Sequence, residues 1–385
     1  MSLQNPSNWL PSGTGSGVVV NDRTSESISA VVGCMRLLAE SMMMLPRSVM
    51  QQEGSQYRVA TEHPVHDLIH NRPNPNYSGS SFVETMMLFA CSTGAGVAYI
   101  ERDTTERPVR LHLLDPRQIG RQLVRGELRY TVPGMPGLID PMDMIDVQMM
   151  SRDGICGSSI LRLAGEVIGQ ALSAQAAGSK YYADGDNRPG YWGTDQVLDK
   201  NQTTRIQESI AATWNSNSGH PFIPGGFKFQ PFAIDPSKSL LLEAQKHSAE
   251  EIARFFGVPA HMIGLLDRAT FNNIEVMSTQ FVIYTLGPWI KRFEDELTYK
   301  LLYEQERKDG YYIKFNEKGL LRGDLKSQTE YLKTMLANGV LNRNEVRALD
   351  DRNPIKGGDI YTVQVNQTSI DNLPNLDENK PNDAE

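Results

Sequence analysis

Two apolar-periodic segments, separated by an island of turn-forming residues, constrain the fold of this chain more than any other feature. From Gly157 to Tyr182 and from Leu240 to Phe256, apolar residues recur every three or four positions, which is typical of amphipathic helices. Residues 184–238 between them carry a strand pattern, a helical pattern and a second strand pattern, bounded by turn signals. We therefore predict two long helices that flank a self-contained β-α-β insertion.

The first of these helices is rich in small residues, among them Gly165, Gly169, Ala171, Ala174 and Gly178. Glycine in a helix interior costs about 1 kcal/mol relative to alanine, so a long helix that keeps its glycines gains something from close backbone approach. The approaching element could be a helix of a neighbouring subunit or a part of the same domain. The residues alone leave both alternatives open.

The rest of the chain predicts an α+β fold. Helical periodicity marks 27–45, 63–69, 80–91, 274–305, 325–337 and 342–349, with Thr24 or Ser25 as the N-cap of the first helix. The run SVMQQEGSQYRVA predicts a hairpin, and YYIKFNEKGLL predicts a strand or hairpin arm. Period-two alternation over 96–147 predicts a small antiparallel sheet that packs on the preceding helices.

A proline interrupts the helical pattern of 274–305. Pro288 removes one backbone hydrogen bond and would clash with the carbonyl group of Tyr284, so we expect a kink at this point.

Composition excludes several classes of protein. Of 385 residues, 39% are hydrophobic and 22% are charged, which is ordinary for a folded globular chain. A net charge of −8 argues against a sequence-reading DNA binder, although an acidic lining suits a protein past which DNA must slide.

The odd number of cysteines, far apart in the chain, fits free thiols in a reducing cytoplasm. The polar first residues predict no signal peptide, and the apolar runs are too short to predict a membrane span.

Motifs of common enzymes are missing from the sequence. It has no GxxxxGK loop followed by Ser or Thr, no GxSxG and no HExxH. The best catalytic candidate is the run EHPVHDLIH, with His63, His66, Asp67 and His70. His66 and His70 would share one helix face and could chelate a metal ion, as in a metal-dependent hydrolase. A polar face of a short surface helix explains the same pattern better, and we expect neither a metal nor a cofactor.

Several motifs, in a fixed order, resemble one known family. SAVVGCMRLLAESMMMLPRSV ends in Leu-Pro before a strand, and EHPVHDLIHNRPNPNYSGSSFVETM contains His-Pro and Pro-Asn-Pro steps. GAGVAYIERD matches in part, because Val97 stands where the family commonly has Asn. More specific are GSSILRLAGEVIGQAL, EEIARFFGVPAHMIG and NNIEVMSTQFVIYTLGPWIKRFEDEL. From about Ser27 to Asp350 the chain resembles the portal proteins of long-tailed bacteriophages.

This resemblance implies an α+β subunit of a ring of about twelve copies at one capsid vertex. The implied divisions are a flexible arm (1–26), an α+β wing (27–156), a stem helix (157–183), a β-α-β clip (184–238), a second stem helix (239–256), a tunnel loop (257–273), the rest of the wing with the long kinked helix (274–323), a short helical crown (324–350) and a largely disordered tail (351–385).

The resemblance also implies roles for individual residues and a set of partners. His261, Arg268, Thr270, Asn272 and Asn273 of the tunnel loop would face double-stranded DNA without reading its sequence, and the small residues of the first stem helix would pack between subunits. Expected partners are copies of the chain, terminase, a capsid or scaffold protein and a head-tail adaptor, with no membrane. The chain would act in the virion after assembly in the bacterial cytoplasm and would have no enzymatic activity. A connector or adaptor is the structural alternative, but such chains are usually far shorter.

Overall fold

A computed structural model of the chain describes residues 14–15, 17–53, 56–183, 190–193, 199–215, 228–231, 238–265, 277–317, 325–349 and 354–362. Its helices are α1 (Asp22–Ser25), α2 (Ser29–Met43), α3 (Pro64–His70), α4 (Gly79–Thr93), α5 (Ile160–Leu163), α6 (Gly165–Ala183), α7 (Lys200–Asn215), α8 (Lys238–Phe256), α9 (Gly287–Leu301), α10 (Glu304–Lys308), α11 (Leu325–Ala337) and α12 (Arg343–Leu349). Its strands are β1 (Arg47–Glu53), β2 (Gln56–Val59), β3 (Ala95–Arg102), β4 (Pro108–Leu114), β5 (Gly120–Val124), β6 (Glu127–Thr131), β7 (Met144–Gln148), β8 (Gly190–Gly193), β9 (Lys228–Pro231) and β10 (Tyr311–Phe315). The predictions of a flexible arm and a disordered tail fall mostly outside these ranges.

The main core forms where α2 packs on α4. α2 buries Val31, Leu38 and Met42 of the predicted apolar stripe, and α4 contributes the fully buried Met86 and Ala90. Burial of a Leu or Met side chain contributes about 1.5–3 kcal/mol. The apolar periodicity therefore identified the buried face of α2, except that Val32, which the pattern also placed inward, is 41% exposed.

The N-terminus of α2 differs from the prediction. Its N-cap residue is Ile28, which makes no side-chain capping bond. Thr24 instead forms a capping box with Asn21 at the start of the short helix α1, because its backbone N–H donates to Asn21 Oδ1 at 2.9 Å and its hydroxyl accepts from Asn21 N at 2.9 Å. The prediction of Thr24 or Ser25 as the cap is wrong, because an additional helical turn uses these residues.

All strand pairs of the described residues are antiparallel. The predicted hairpin is β1–β2, and β10 pairs with the other edge of β1, where Arg47 lies opposite Phe315. The predicted sheet of 96–147 is confirmed as β4-β3-β7, while β5 and β6 form a separate hairpin.

One buried ion pair attaches the β5–β6 hairpin to this sheet. The Arg121 guanidinium donates two hydrogen bonds of 2.8 Å to the carboxylate of Asp146 on β7, and the Tyr130 hydroxyl donates a third at 2.9 Å. Burial alone would lower the pKa of Arg121, but the bonds and the charge of Asp146 raise it above its usual value. The guanidinium therefore stays charged and bound.

The two long helices and the insertion between them are present, with different bounds. The first does not begin at Gly157. Ser159 caps the one-turn helix α5, the helix breaks at Ala164, and α6 then runs to Ala183. α6 packs on α8, and between them β8, α7 and β9 follow in the predicted β-α-β order, with β8 and β9 paired.

The predicted interruption at Pro288 takes the form of a widened turn. Phe281–Leu286 is π-helical, and the Gly287 N–H donates to Val282 O, five residues earlier. Pro288 then lies in the first turn of α9, where a missing N–H costs nothing. The single helix predicted to Gln305 is wrong at its end, because Leu302 is extended and α10 begins anew.

Side chains of α9 bind the outer strands of two sheets. Thr298 Oγ1 accepts from Ile313 N at 3.0 Å and Glu294 Oε1 from Phe315 N at 2.9 Å, both on β10. Glu296 Oε1 accepts from Asp146 N on β7 at 3.0 Å. The exposed edges of β10 and β7 are in this way covered by a single helix.

The last described helices match their predicted ranges closely. α11 spans the predicted 325–337, and Gly339, with a φ of 68°, follows its end. Asn342 caps α12 through its side chain, which accepts from Glu345 N at 2.8 Å. Within the described ranges, every helix is too short or too polar to cross a bilayer.

Replacement of Glu294 by Met removes the acceptor of a buried backbone N–H. We expect Glu294→Met to lose about 1–3 kcal/mol of unfolding free energy, measured by urea denaturation. Glu294→Gln, which keeps an acceptor oxygen, should lose clearly less. Asp295→Ala, in an exposed ion pair on the same helix, should change stability by about 0.5 kcal/mol or less. Equal losses in Glu294→Met and Asp295→Ala would contradict the role given to Glu294.

Deletion of Ile283 tests the widened turn. A π-helical turn contains one residue more than an α-helix needs, so this deletion, at a position 56% exposed, can restore α-helical spacing without rotating α9. Deletion of the exposed Lys291 within α9 should instead rotate Trp289 and Ile290 by about 100° relative to Phe293. We expect the Ile283 deletion to have a clearly higher melting temperature and soluble yield than the Lys291 deletion. Equal damage by both deletions would exclude the π-helical turn.

Candidate functional site

The candidate site is the end of the α6–α8 pair at the core. α6 leads out of the core to the insertion and α8 returns from it, so the two helices run in opposite directions. α5, which precedes α6, contacts α8, and Ile252, Ala253 and Phe256 near the end of α8 are buried in the main core. The start of the first helix and the end of the second therefore meet at one place.

The five small residues of α6 do not share one face. Gly165 and Gly169 are four apart and lie on one side, whereas Ala171, Ala174 and Gly178 follow a spacing of three and four on another side. Gly169, Ala171 and Gly178 are buried within the single chain, and Gly165 and Ala174 are half-buried. Packing on α8 accounts for part of this pattern, and the inter-subunit role of the five residues stays a prediction.

A glycine ends α8 and turns the chain. Gly257 has a φ of 68°, and Val258 N donates to Ala253 O at 2.9 Å, as in a helix that closes on a left-handed residue. A short 3₁₀ helix, Ala260–Ile263, follows. Ile263 packs against α2, where a Cβ atom at Gly33 would lie 3.6 Å from its side chain.

Only the first part of the predicted DNA-facing loop is described. His261 lies in the 3₁₀ helix and is half-buried, and both of its ring nitrogens are shielded from solvent without a hydrogen-bond partner among the described residues. Arg268, Thr270, Asn272 and Asn273 lie outside the described residues. The structure thus places one of the five predicted loop residues, and the DNA-facing role of all five stays a prediction.

Sequence reasoning missed a groove beside this turn. The π-helical segment lies along the end of α8, and Thr285 Oγ1 donates to Gly257 O at 2.5 Å. The groove between them has a volume of about 440 Å³ and is lined largely by apolar atoms, including those of Ala253, Val258, Met277, Phe281 and Tyr284. Pro288 signalled a disturbed helix, but no sequence pattern indicated which element would pack beside it.

The histidine cluster serves the fold. His66 Nδ1 accepts from Val49 N at 3.3 Å, His70 Nδ1 lies 2.7 Å from Arg47 O, and His63 Nδ1 caps α3. Asp67 accepts from the side chain of Asn71. Burial, followed by the charge of His70, lowers the pKa of His66. Among the residues that the structure describes, no three His, Cys, Asp or Glu side chains are arranged to hold a metal ion.

We expect purified protein to contain far less than one zinc, manganese or iron ion per chain by plasma mass spectrometry. The Nδ1 atoms of the three histidines are engaged with β1 and α3, and among the described residues no three potential ligands converge on one point. A stoichiometric metal that is lost in His66→Ala would contradict this expectation and favour the hydrolase alternative.

Comparison with known proteins gives a consistent result. A family model described as "Phage portal protein" matches residues 29–351. The chain is 25% identical to the portal protein of Enterobacteria phage HK97 over 95% of this chain and 88% of the relative. It is 27% identical to the probable portal protein of Streptomyces phage phiC31 over 93% of this chain and 82% of the relative.

A solved structure shares the fold. A chain in the neck of a native gene transfer agent particle, computed with twelvefold cyclic symmetry, matches 89% of this chain and 97% of its own length. The TM-score is 0.57 at 21% identity.

Proposed function

Because this chain belongs to the phage portal protein family, we propose that it forms a ring of twelve copies around a DNA channel at one vertex of a capsid. The observation that supports this most directly is the family match over 29–351, which includes both helices of the pair and the insertion between them. A closed ring needs two different, complementary surfaces on each copy.

Each segment of the chain takes one part of the ring. The helices within 157–183 and 239–256 form the stem, and the insertion at 184–238 is the clip, where terminase docks during packaging and the head-tail adaptor docks later. The regions 27–156 and 274–323 form the wing, 257–273 the tunnel loop and 324–350 the crown. The antiparallel course of α6 and α8 supports this assignment, because it carries the insertion away from the core.

Contact with DNA is loose and independent of sequence. His261, Arg268, Thr270, Asn272 and Asn273 of the tunnel loop approach the phosphates, and a net charge of −8 per chain limits adhesion of DNA to the channel. The small residues Gly165, Gly169, Ala171, Ala174 and Gly178 allow close packing of stem helices, within a chain and between chains.

The portal itself has no enzymatic role in this proposal. Terminase hydrolyses ATP, which agrees with the lack of a phosphate-binding GxxxxGK loop in the sequence. Assembly with a capsid or scaffold protein takes place in the bacterial cytoplasm, and the ring then stays in the virion as the route of packaging and ejection.

The mass of the purified protein in solution tests the ring. Twelve copies of the 43.0 kDa chain give about 516 kDa, and we expect annular particles of that mass by mass photometry and negative-stain microscopy. A stable monomer that no added capsid or scaffold protein converts into rings would overturn the proposal.

A further inference from the structure

The groove beside the end of α8 exposes apolar surface to solvent. Tyr284, which lines it from the π-helical segment, is 74% exposed, and apolar atoms of Ala253, Val258, Met277 and Phe281 line the groove beside it. An exposed aromatic side chain on an apolar groove marks an interaction surface. We call this surface the α8 groove.

The charges around the α8 groove fit a protein partner and not DNA. Its lining includes one cation, Arg254, which is paired with Glu251, and it also includes the exposed Glu250. With Glu250 and Glu251 against Arg254, the local charge is negative, which disfavours a phosphate backbone. The matching partner presents an apolar side chain with a positive charge close to it.

The loop that precedes α5 has these properties. Met150 is 54% exposed and has a φ of 38°, a left-handed backbone that residues other than glycine rarely adopt. The exposed Arg152 lies two residues further along the chain. Hydrogen bonds fix the loop on both sides, from Met149 N to Gly94 O at 2.8 Å and from Ser158 N to Met149 O at 2.7 Å. Met150 is thus held outward on a firm base.

The loop and the groove lie at the same end of the helix pair. The loop leads into α5 and α6, the groove follows the end of α8, and α5 contacts α8. Rotation about a ring axis moves a surface around the ring without changing its height. If the helix pair lies along the axis, as a stem does, the loop of one copy and the groove of the next copy are at equal height.

We propose that the α8 groove of each copy receives Met150 of the neighbouring copy, with Arg152 beside Glu250. This contact rests on the proposed ring and adds to it two complementary surfaces on each copy. It is heterologous, so that it closes a ring and does not form a symmetric dimer.

Disulfide cross-linking tests the contact in assembled full-length rings. The native cysteines Cys34, Cys91 and Cys156 are buried and free, so the background is low. After mild oxidation, the double variant Met150→Cys with Tyr284→Cys should give a ladder of covalent oligomers up to the full ring on a non-reducing gel. Each single variant should give none. Val109→Cys with Tyr284→Cys, in which Val109 is 43% exposed, is the control for random collision.

Charge reversal provides a second measurement. Arg152→Glu and Glu250→Arg alone should each lower the fraction of chains in rings several-fold, and the double reversal should restore it. Failure of the double reversal, when both single variants fold with native circular dichroism, would exclude the pairing.

The outcomes separate this contact from the ring itself. Rings that form without a ladder, or a disulfide within one chain, would overturn the contact and leave the portal assignment intact, with another occupant in the groove. Absence of rings under all conditions would overturn the proposed function and the contact together.

Discussion

The two three-stranded sheets depend on α9, which supplies hydrogen-bond acceptors to strands that would otherwise have open edges. Glu294 and Thr298 accept from β10, and Glu296 accepts from β7, so that one helix joins two separate sheets. A buried backbone N–H without an acceptor costs about 1–3 kcal/mol. Burial raises the pKa of Glu296 despite the nearby Lys300, as expected for a carboxylate held for its geometry. Movement of α9 relative to either sheet would break these bonds.

The start of α9 is in turn fixed by the end of the α6–α8 pair. The π-helical turn sets the position of α9, and Thr285 within this turn donates to Gly257, the residue that ends α8. A continuous series of contacts therefore leads from the helix pair through one hydrogen bond to α9 and both sheets. The link at the end of α8 is a single solvent-exposed hydrogen bond beside the groove.

Local features were predictable from the sequence, and pairings over long distances were not. The bounds of α11 followed from its periodicity and the Asn338-Gly339 end, and the buried face of α2 followed from its apolar stripe. The pairing of β1 with β10 joins residues far apart in the chain, and no local pattern specifies such a partner. The π-helical turn escaped prediction because Pro288 signals a disturbance without its form. At the candidate site, composition identified the small residues of α6, but the sequence does not indicate which of their faces packs on α8.

Contacts within one chain explain some of the small side chains of α6 and leave others open. Ala171 and Gly178 are buried, which the contact with α8 in the same chain explains. Gly165 is different, because a Cβ atom there would meet nothing within 4 Å among the described residues. Gly165 is also the first residue of α6, directly after the break at Ala164, so the full cost of glycine in a helix interior does not apply to it. The open space beside it in one copy leaves room for a larger side chain or for a second copy, and its inter-subunit role stays a prediction.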